Sequence, residues 1–144
     1  MKNIKVSTHA VLFSDNRILI LRRSKTDARR YLEWDLPGGI VDKREEFNNA
    51  CAREIKEEAG IKIEPANLYL AFASTKNFES LSVTWLIYVA TSTDQEVALS
   101  YEHDKYKWVS LDEAIELVAY EPQLLALKHI HKNNLQPQLF DKSV

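Results

Sequence analysis

All three glycines of this 144-residue chain, Gly38, Gly39 and Gly60, fall in one stretch, GGIVDKREEFNNACAREIKEEAGI, which runs from Gly38 to Ile61. Five glutamates share it: Glu45, Glu46, Glu54, Glu57 and Glu58. A glycine pair lets backbone approach a neighbour or a ligand closely, and a single glycine commonly closes a helix C-terminus. The pattern predicts a helix from about Glu46 to Ala59, ended by Gly60. A close-approach loop therefore runs directly into a capped, acid-rich helix, and the rest of the fold has to be built around that pair.

Successive residues of an α-helix are turned by about 100°. Relative to Glu54, Glu58 lies roughly 40° to one side and Glu57 roughly 60° to the other, so the three acids share one face. Cys51, Ile55 and Ala59 form an apolar stripe centred roughly 100° from them. The acids thus flank the buried side. A solvated acidic face is the ordinary explanation of such a cluster, but two features argue for a ligand. Glu54 and Glu58 form a like-charged i,i+4 pair with no base between them on that face, a repulsion of about 0.2–0.5 kcal/mol that a divalent cation would reverse. The Gly38-Gly39 pair can also bring backbone carbonyls to the same place. Hard oxygen ligands of this kind suit Mg2+ or Mn2+.

Elsewhere, Lys5–Phe13 and Arg17–Leu21 predict a hairpin turning at Ser14-Asp15-Asn16. The continuously apolar Ile18–Leu21 fits a strand covered on both faces. Further strands are expected near Leu68–Thr75, Ser80–Thr91 and Lys105–Val109, and Ser24–Tyr31 reads as a loop. Ser110-Leu111-Asp112-Glu113 is a capping box for a helix to about Val118, and Pro122 sits in the first turn of a last helix to about Lys132. Strands and helices alternate irregularly, which predicts a mixed sheet between helices, an α/β fold.

The length fits one domain, residues 1–144. A net charge of −2 gives no general case for nucleic acid or membrane as partner, and leaves a small anionic ligand open. No apolar run is long enough to span a bilayer. Cys51 is the sole cysteine, a small core residue by pattern; with no internal disulfide available, a cytoplasmic setting is expected. Pairing of two copies as a homodimer is left open.

The stretch resembles the Nudix signature, G-x5-E-x7-R-E-U-x-E-E-x-G-U with U a bulky apolar residue: Gly39, Glu45 and Arg53-Glu54-Ile55-Lys56-Glu57-Glu58-Ala59-Gly60-Ile61 fill every fixed position. Ile20–Arg23, Trp34–Gly39, Glu102 before Trp108-Val109-Ser110, and Tyr120-Glu121-Pro122 also resemble MutT-type members. The resemblance implies a Nudix-type α/β/α sandwich around a mixed sheet. It implies a hydrolase that cleaves a nucleoside diphosphate linked to another group, most readily a nucleoside triphosphate to monophosphate and pyrophosphate. Alternatives are ADP-ribose, NDP-sugar or dinucleoside polyphosphate substrates, or a non-catalytic nucleotide sensor. Lys76-Asn77-Phe78 stands where ADP-ribose members carry a proline and dinucleoside members a tyrosine, and shows neither.

By the same resemblance, Gly38, Glu54, Glu57, Glu58 and Glu102 would hold the metal, and Glu57 or Glu102 would orient the water. Arg53 would pair with Glu45 and hold the loop to the helix, while Gly39 and Gly60 shape the motif. Arg23 would meet phosphate, with Arg22 on the opposite strand face. Tyr31, Trp34, Phe78 and Tyr120 are aromatics for stacking a base or for packing. Tyr120 stands where MutT enzymes specific for oxidised guanine carry a base-reading asparagine. A phenol cannot make paired amide contacts, so Tyr120 predicts stacking with little discrimination between bases.

Overall fold

The computed structural model describes residues 3–137. Among these, strands β1 (Asn3–Ser14), β2 (Arg17–Arg23), β3 (Trp34–Asp35), β4 (Gly38–Ile40), β5 (Tyr69–Asn77), β6 (Leu81–Thr91) and β7 (His103–Val109) make one seven-stranded sheet. The helices are α1 (Phe47–Ala59), α2 (Leu111–Leu117) and α3 (Glu121–Asn133), with a 3-10 turn at Pro65–Asn67.

The β1–β2 hairpin turns on two residues, Asp15 and Asn16, both at positive φ (50° and 61°), as a type I′ turn requires and as Asp and Asn tolerate. The two strands pair directly only at Phe13–Ile18 and Ser14–Arg17, then splay. One edge of β1 stays paired with β6 in parallel, from Asn3–Leu81 to Phe13–Thr91. Into the gap on its other side comes the segment from Trp34 to Ile40. β3 pairs with β2 through Leu21–Asp35, β4 pairs with β1 through His9–Gly38, and Ala10 N–H donates to Pro37 O at 2.9 Å. Leu36 lies between the two short strands, outside either ladder, so side chains satisfy its backbone. Its N–H donates to Gln123 Oε1 at 2.8 Å, and its carbonyl accepts from His9 Nδ1 at 3.2 Å. Burial pushes the His9 pKa down, so the neutral ring donates to Leu36 while its Nε2 faces the Ser7 hydroxyl at 2.9 Å.

Side-chain alternation sorts the core into two layers. Ile18 and Ile20 point with Val11, Ile87 and Val109 to α2 and α3; Leu19 and Leu21 point with Ala10, Leu12 and Tyr88 to α1 through Cys51, Ile55 and Ala59. This is the expected α/β/α sandwich, and the apolar run Ile18–Leu21 is covered on both faces. Ser110 Oγ accepts from Glu113 N–H at 3.1 Å and opens α2. Gly60 closes α1 at φ 72°, its N–H bonding Lys56 O at 2.9 Å. Several boundaries differ from expectation by one or two residues: β7 begins at His103 rather than Lys105, and β5 reaches Asn77. β3 and β4 were not expected at all. They exist because the splayed hairpin leaves unpaired strand edges for them. Among the described residues no helix is long and apolar enough to cross a membrane.

Candidate active site

The splay opens a cleft of about 1230 Å³ whose lining includes Gly38, Gly39, Glu54, Glu57, Glu58 and Glu102 on its acidic side. Gly38 excludes any side chain, and a side chain at Gly39 would displace the Glu54 carboxylate. A Cβ on Gly38 would overlap the Thr8 carbonyl and His9, and one on Gly39 would collide with the Glu54 carboxylate. Gly38 therefore lets β4 lie against β1, and Gly39 leaves room for the Glu54 carboxylate of α1. Gly38 N–H donates to Glu58 Oε1 at 2.9 Å, tying loop and helix together.

The three helix acids form a gradient of burial. The Glu57 side chain is 56% exposed and Glu54 15%, whereas Glu58 is only 5% exposed. Burial pushes the Glu58 carboxyl up to about 9; the Gly38 N–H pulls the other way, and the charges of Glu102, Glu54 and Asp35 add to the rise. Glu54 is raised by burial and by Glu57 and Glu102, against Arg53. Glu102, which lies in the loop before β7, is thus within electrostatic reach of both.

Arg53 holds Glu45 with two bonds, Nε to Oε2 at 2.7 Å and Nη2 to Oε1 at 3.0 Å. Its Nη1 also reaches Glu54 Oε1 at 3.0 Å and both Glu57 oxygens at 3.2 Å. The Glu45 bond, with Glu57 and Glu54, raises the Arg53 pKa above its ordinary value, so the side chain is a fixed cation. Among the described residues, no three acidic, histidine or cysteine side chains already converge as a metal site. The donor set nevertheless fits a hard divalent cation. It offers carboxylate oxygens from one helix face, with Glu54 and Glu58 holding their protons more tightly than ordinary acids because burial and the neighbouring carboxylates outweigh Arg53 at Glu54 and the Gly38 N–H at Glu58.

The rest of the lining is rich in cations, beside the acids Glu33 and Glu121. It includes Arg23, Arg29, Arg30, Lys5 and Lys76, with Phe78, Trp85 and Tyr120. Arg22 turns away and pairs with Asp104 on the surface, Nε to Oδ1 at 2.8 Å. Arg23 lines the cleft but is not a free phosphate hook. Its Nη1 donates to Asp35 Oδ2 at 2.6 Å and its Nη2 to Asp27 Oδ2 at 2.9 Å. Arg30 Nη2 takes the other Asp35 oxygen, and His103 Nε2 stands 3.5 Å from Asp35 Oδ2 without a hydrogen bond. Burial pushes the Asp35 carboxyl up, but His103, Arg30 and Arg23 together outweigh it and hold the group well below the usual carboxylate range.

The Arg30 guanidinium lies 3.9 Å from the Tyr120 ring centroid, and Trp85 meets the same ring edge-on at 6.2 Å. One face of Tyr120 is therefore already stacked. Phe78 is 46% exposed beside Lys76. Trp34 packs against the α2–α3 layer and Tyr31 is exposed outside the cleft lining, so of the four aromatics considered for stacking only Phe78 and Tyr120 face it. The sequence reading missed Asp35, Arg30, His103, Trp85 and Gln123; the one local signal was the acid in WDLPGG. Cys51 is buried in the α1 layer, and burial pushes its thiol up to about 12, which leaves it unreactive.

A glycine loop locked to an acidic helix, sharing one cleft with a cation-rich and aromatic lining, is the equipment of a hydrolase for phosphate-bearing ligands. The chain belongs to the Nudix hydrolase family: the NUDIX domain model matches residues 4–129. It is 32% identical over 104 residues to a bis(5′-nucleosyl)-tetraphosphatase (asymmetrical) of Rattus norvegicus, covering 69% of this chain and 70% of that one. It is 27% identical over 124 residues to an RNA pyrophosphohydrolase of Pelagibacter ubique, covering 75% and 77%. The crystal structure of a MutT protein from Methanosarcina mazei Go1 superposes with a TM-score of 0.79 at 27% identity, covering 92% of this chain and 96% of that one. The protein is accordingly an enzyme that hydrolyses pyrophosphate bonds, and the family works with divalent metal ions.

Proposed function

We propose that the protein hydrolyses a nucleoside triphosphate to monophosphate and pyrophosphate, with Mg2+ or Mn2+ held by Glu54, Glu57, Glu58 and the Gly38 carbonyl and with Glu102 beside them. The observation that carries this reading is the pairing, in one cleft, of under-neutralised carboxylates with a cationic, aromatic wall. The ion supplies charge neutralisation and eases deprotonation of the attacking water. The chain's own residues do the rest. Arg53 fixes the rotamers of Glu54 and Glu57. Glu57, the most solvated acid of the helix, or Glu102 accepts the proton of the water. Lys5, Lys76 and Arg29 meet phosphate oxygens beyond the reacting bond. Arg29 suits that role because it is 91% exposed with only a 3.7 Å contact to Asp27. Phe78 and Tyr120 meet the base.

Similarity to the tetraphosphatases favours a second reading, a dinucleoside polyphosphate, and the cleft has room for one. One panel decides: nucleoside triphosphates, dinucleoside tetraphosphate, ADP-ribose, an NDP-sugar and triphosphate-ended RNA, each with Mg2+ and with excess EDTA, products resolved by chromatography. Monophosphate plus pyrophosphate from a triphosphate at the highest kcat/KM, abolished by EDTA, is expected. Higher kcat/KM on the dinucleoside would establish the second reading, and full activity in EDTA would contradict both.

A further inference from the structure

Gln123 is fully buried in the first turn of α3 and belongs to the cleft lining. Its Oε1 accepts from Leu36 N–H, and its Nε2 has no hydrogen-bond partner among the described residues. A backbone N–H can only donate, so the amide is held with its oxygen toward Leu36 and cannot flip. The Leu36 contact accounts for the oxygen. It does not account for the nitrogen, which is left with two N–H donors and nothing to donate to. A buried donor without an acceptor is costly, and folded chains seldom keep one unless something else supplies the acceptor.

The surroundings say what kind of group that is. Tyr120, whose carbonyl accepts from Gln123 N–H at 3.1 Å, meets Trp85 edge-on and carries the Arg30 guanidinium on its face. All three line the cleft with Gln123. Aromatic and guanidinium planes are what flat heteroaromatic rings stack on. A base among these planes would lie beside Gln123, and its edge would reach the covered Nε2 by displacing the side chains over it.

We propose that Gln123 Nε2 reads the base, selecting rings that present a carbonyl oxygen at that edge (guanine, hypoxanthine, uracil) over rings that present an exocyclic amino group (adenine, cytosine). The carbonyl accepts the idle donor. An amino group would set donor against donor where neither reaches water. Tyr120 alone would give stacking with little preference; Gln123 adds the discrimination that a tyrosine lacks. The inference rests on the nucleotide reading above.

The test compares kcat/KM for GTP, ITP and UTP with that for ATP and CTP, in wild type, Gln123→Met and Gln123→Glu. In parallel, the Gln123 side-chain amide resonances are followed by NMR during titration with the α,β-methylene analogues of GTP and ATP. Wild type is expected to favour the oxo bases by about ten-fold or more, with the amide protons shifted by the GTP analogue alone. Gln123→Met should flatten the ratio through KM with kcat little changed. Gln123→Glu, which keeps an acceptor for Leu36 N–H, should flatten or reverse it even if the methionine variant folds poorly. Equal efficiency on all five nucleotides in wild type, or a preference that survives both variants, overturns the proposal. If neither analogue binds, the nucleotide reading falls and takes this inference with it; equal binding of both analogues overturns the inference alone.

Discussion

Two carboxylates, Glu58 in the cleft lining and Asp35 behind the lining residues Arg23 and Arg30, are buried almost equally, at 5% and 2% exposure, yet they are driven in opposite directions. Asp35 is gripped by Arg23 and Arg30 with His103 nearby, and stays ionised. Glu58 has one backbone N–H to its credit and faces Glu54, Glu102 and Asp35, so it holds a proton up to about pH 9. Burial alone therefore does not decide the state of an acid; the charges supplied by the neighbouring elements do. The Asp35 side of the cleft is complete as a piece of structure. On the function proposed above, a cation from outside would complete the Glu58 side.

The largest expected effect comes from removing a charge on the incomplete side. Glu57→Gln keeps size and should lower kcat by about 10²–10⁴-fold, the scale of a lost base or ligand, with the melting temperature nearly unchanged because Glu57 is the solvated acid of the three. A steady-state assay with a thermal melt checks both. A large stability loss with intact kcat would break the contrast, since it would make Glu57 a structural acid.

On the complete side the pattern should invert. Asp35→Asn leaves two partly buried guanidinium groups without their shared anion and should destabilise the fold by about 2–4 kcal/mol, somewhat below the cost for fully buried pairs because both arginines keep some solvent contact. Denaturant unfolding measures this. A loss under about 0.5 kcal/mol, the scale of an exposed pair, would show that the network is decorative.

Acidity sharpens the comparison further. Asp35 has a depressed folded pKa, so its contribution is present above the unfolded carboxylate value of about 3.9 and is lost as pH falls below it. Glu58 has a raised folded pKa, so in metal-free protein its contribution is present below about 4.3 and is lost as pH rises through about 9. Metal-free protein should lose stability on both limbs, and Glu58→Gln should flatten only the alkaline one. Melting curves across pH in EDTA would show it; an alkaline limb identical in the variant contradicts the assignment.

The smallest effect is expected at the aromatic wall. Tyr120→Ala removes the ring under Arg30 and should raise KM for every nucleotide about ten-fold with a lesser change in kcat, because the base is remote from the reacting phosphorus. A kcat loss exceeding the KM change would place Tyr120 near the chemistry instead.

The contrast also explains what could be read from sequence. The acidic side is a local object. Its helix glutamates recur at i, i+3 and i+4 and glycines bracket that helix, so spacing puts them on one face and the Nudix signature points to a metal site there. The cationic side is assembled from β2, the loop before β3, β3, β7 and α3. Arg23, Arg30, Asp35, His103 and Gln123 are scattered along the chain and meet only because β1 and β2 splay and β3 enters the gap. No periodicity records such a meeting. For the same reason β3 and β4, a few residues each, carry no propensity signal; the open edges of longer strands create them. Resemblance puts Arg23 in the cleft and alternation puts Arg22 on the other face, as observed, yet nothing in the sequence shows the ion pairs of Arg23 with Asp27 and Asp35.

The central claim is that the Glu54–Glu58 face is built to receive a cation, and the most direct measurement is the melting temperature with and without millimolar Mg2+ at pH 8 in wild type and in the Glu54→Gln/Glu58→Gln double variant. Mg2+ at about 100 times its dissociation constant stabilises the folded state by about 2.7 kcal/mol. Wild type should therefore melt several degrees higher with the ion, while the double variant should melt slightly higher than wild type without it and show no response to it. An undiminished response in the double variant would put the ion elsewhere and contradict the account.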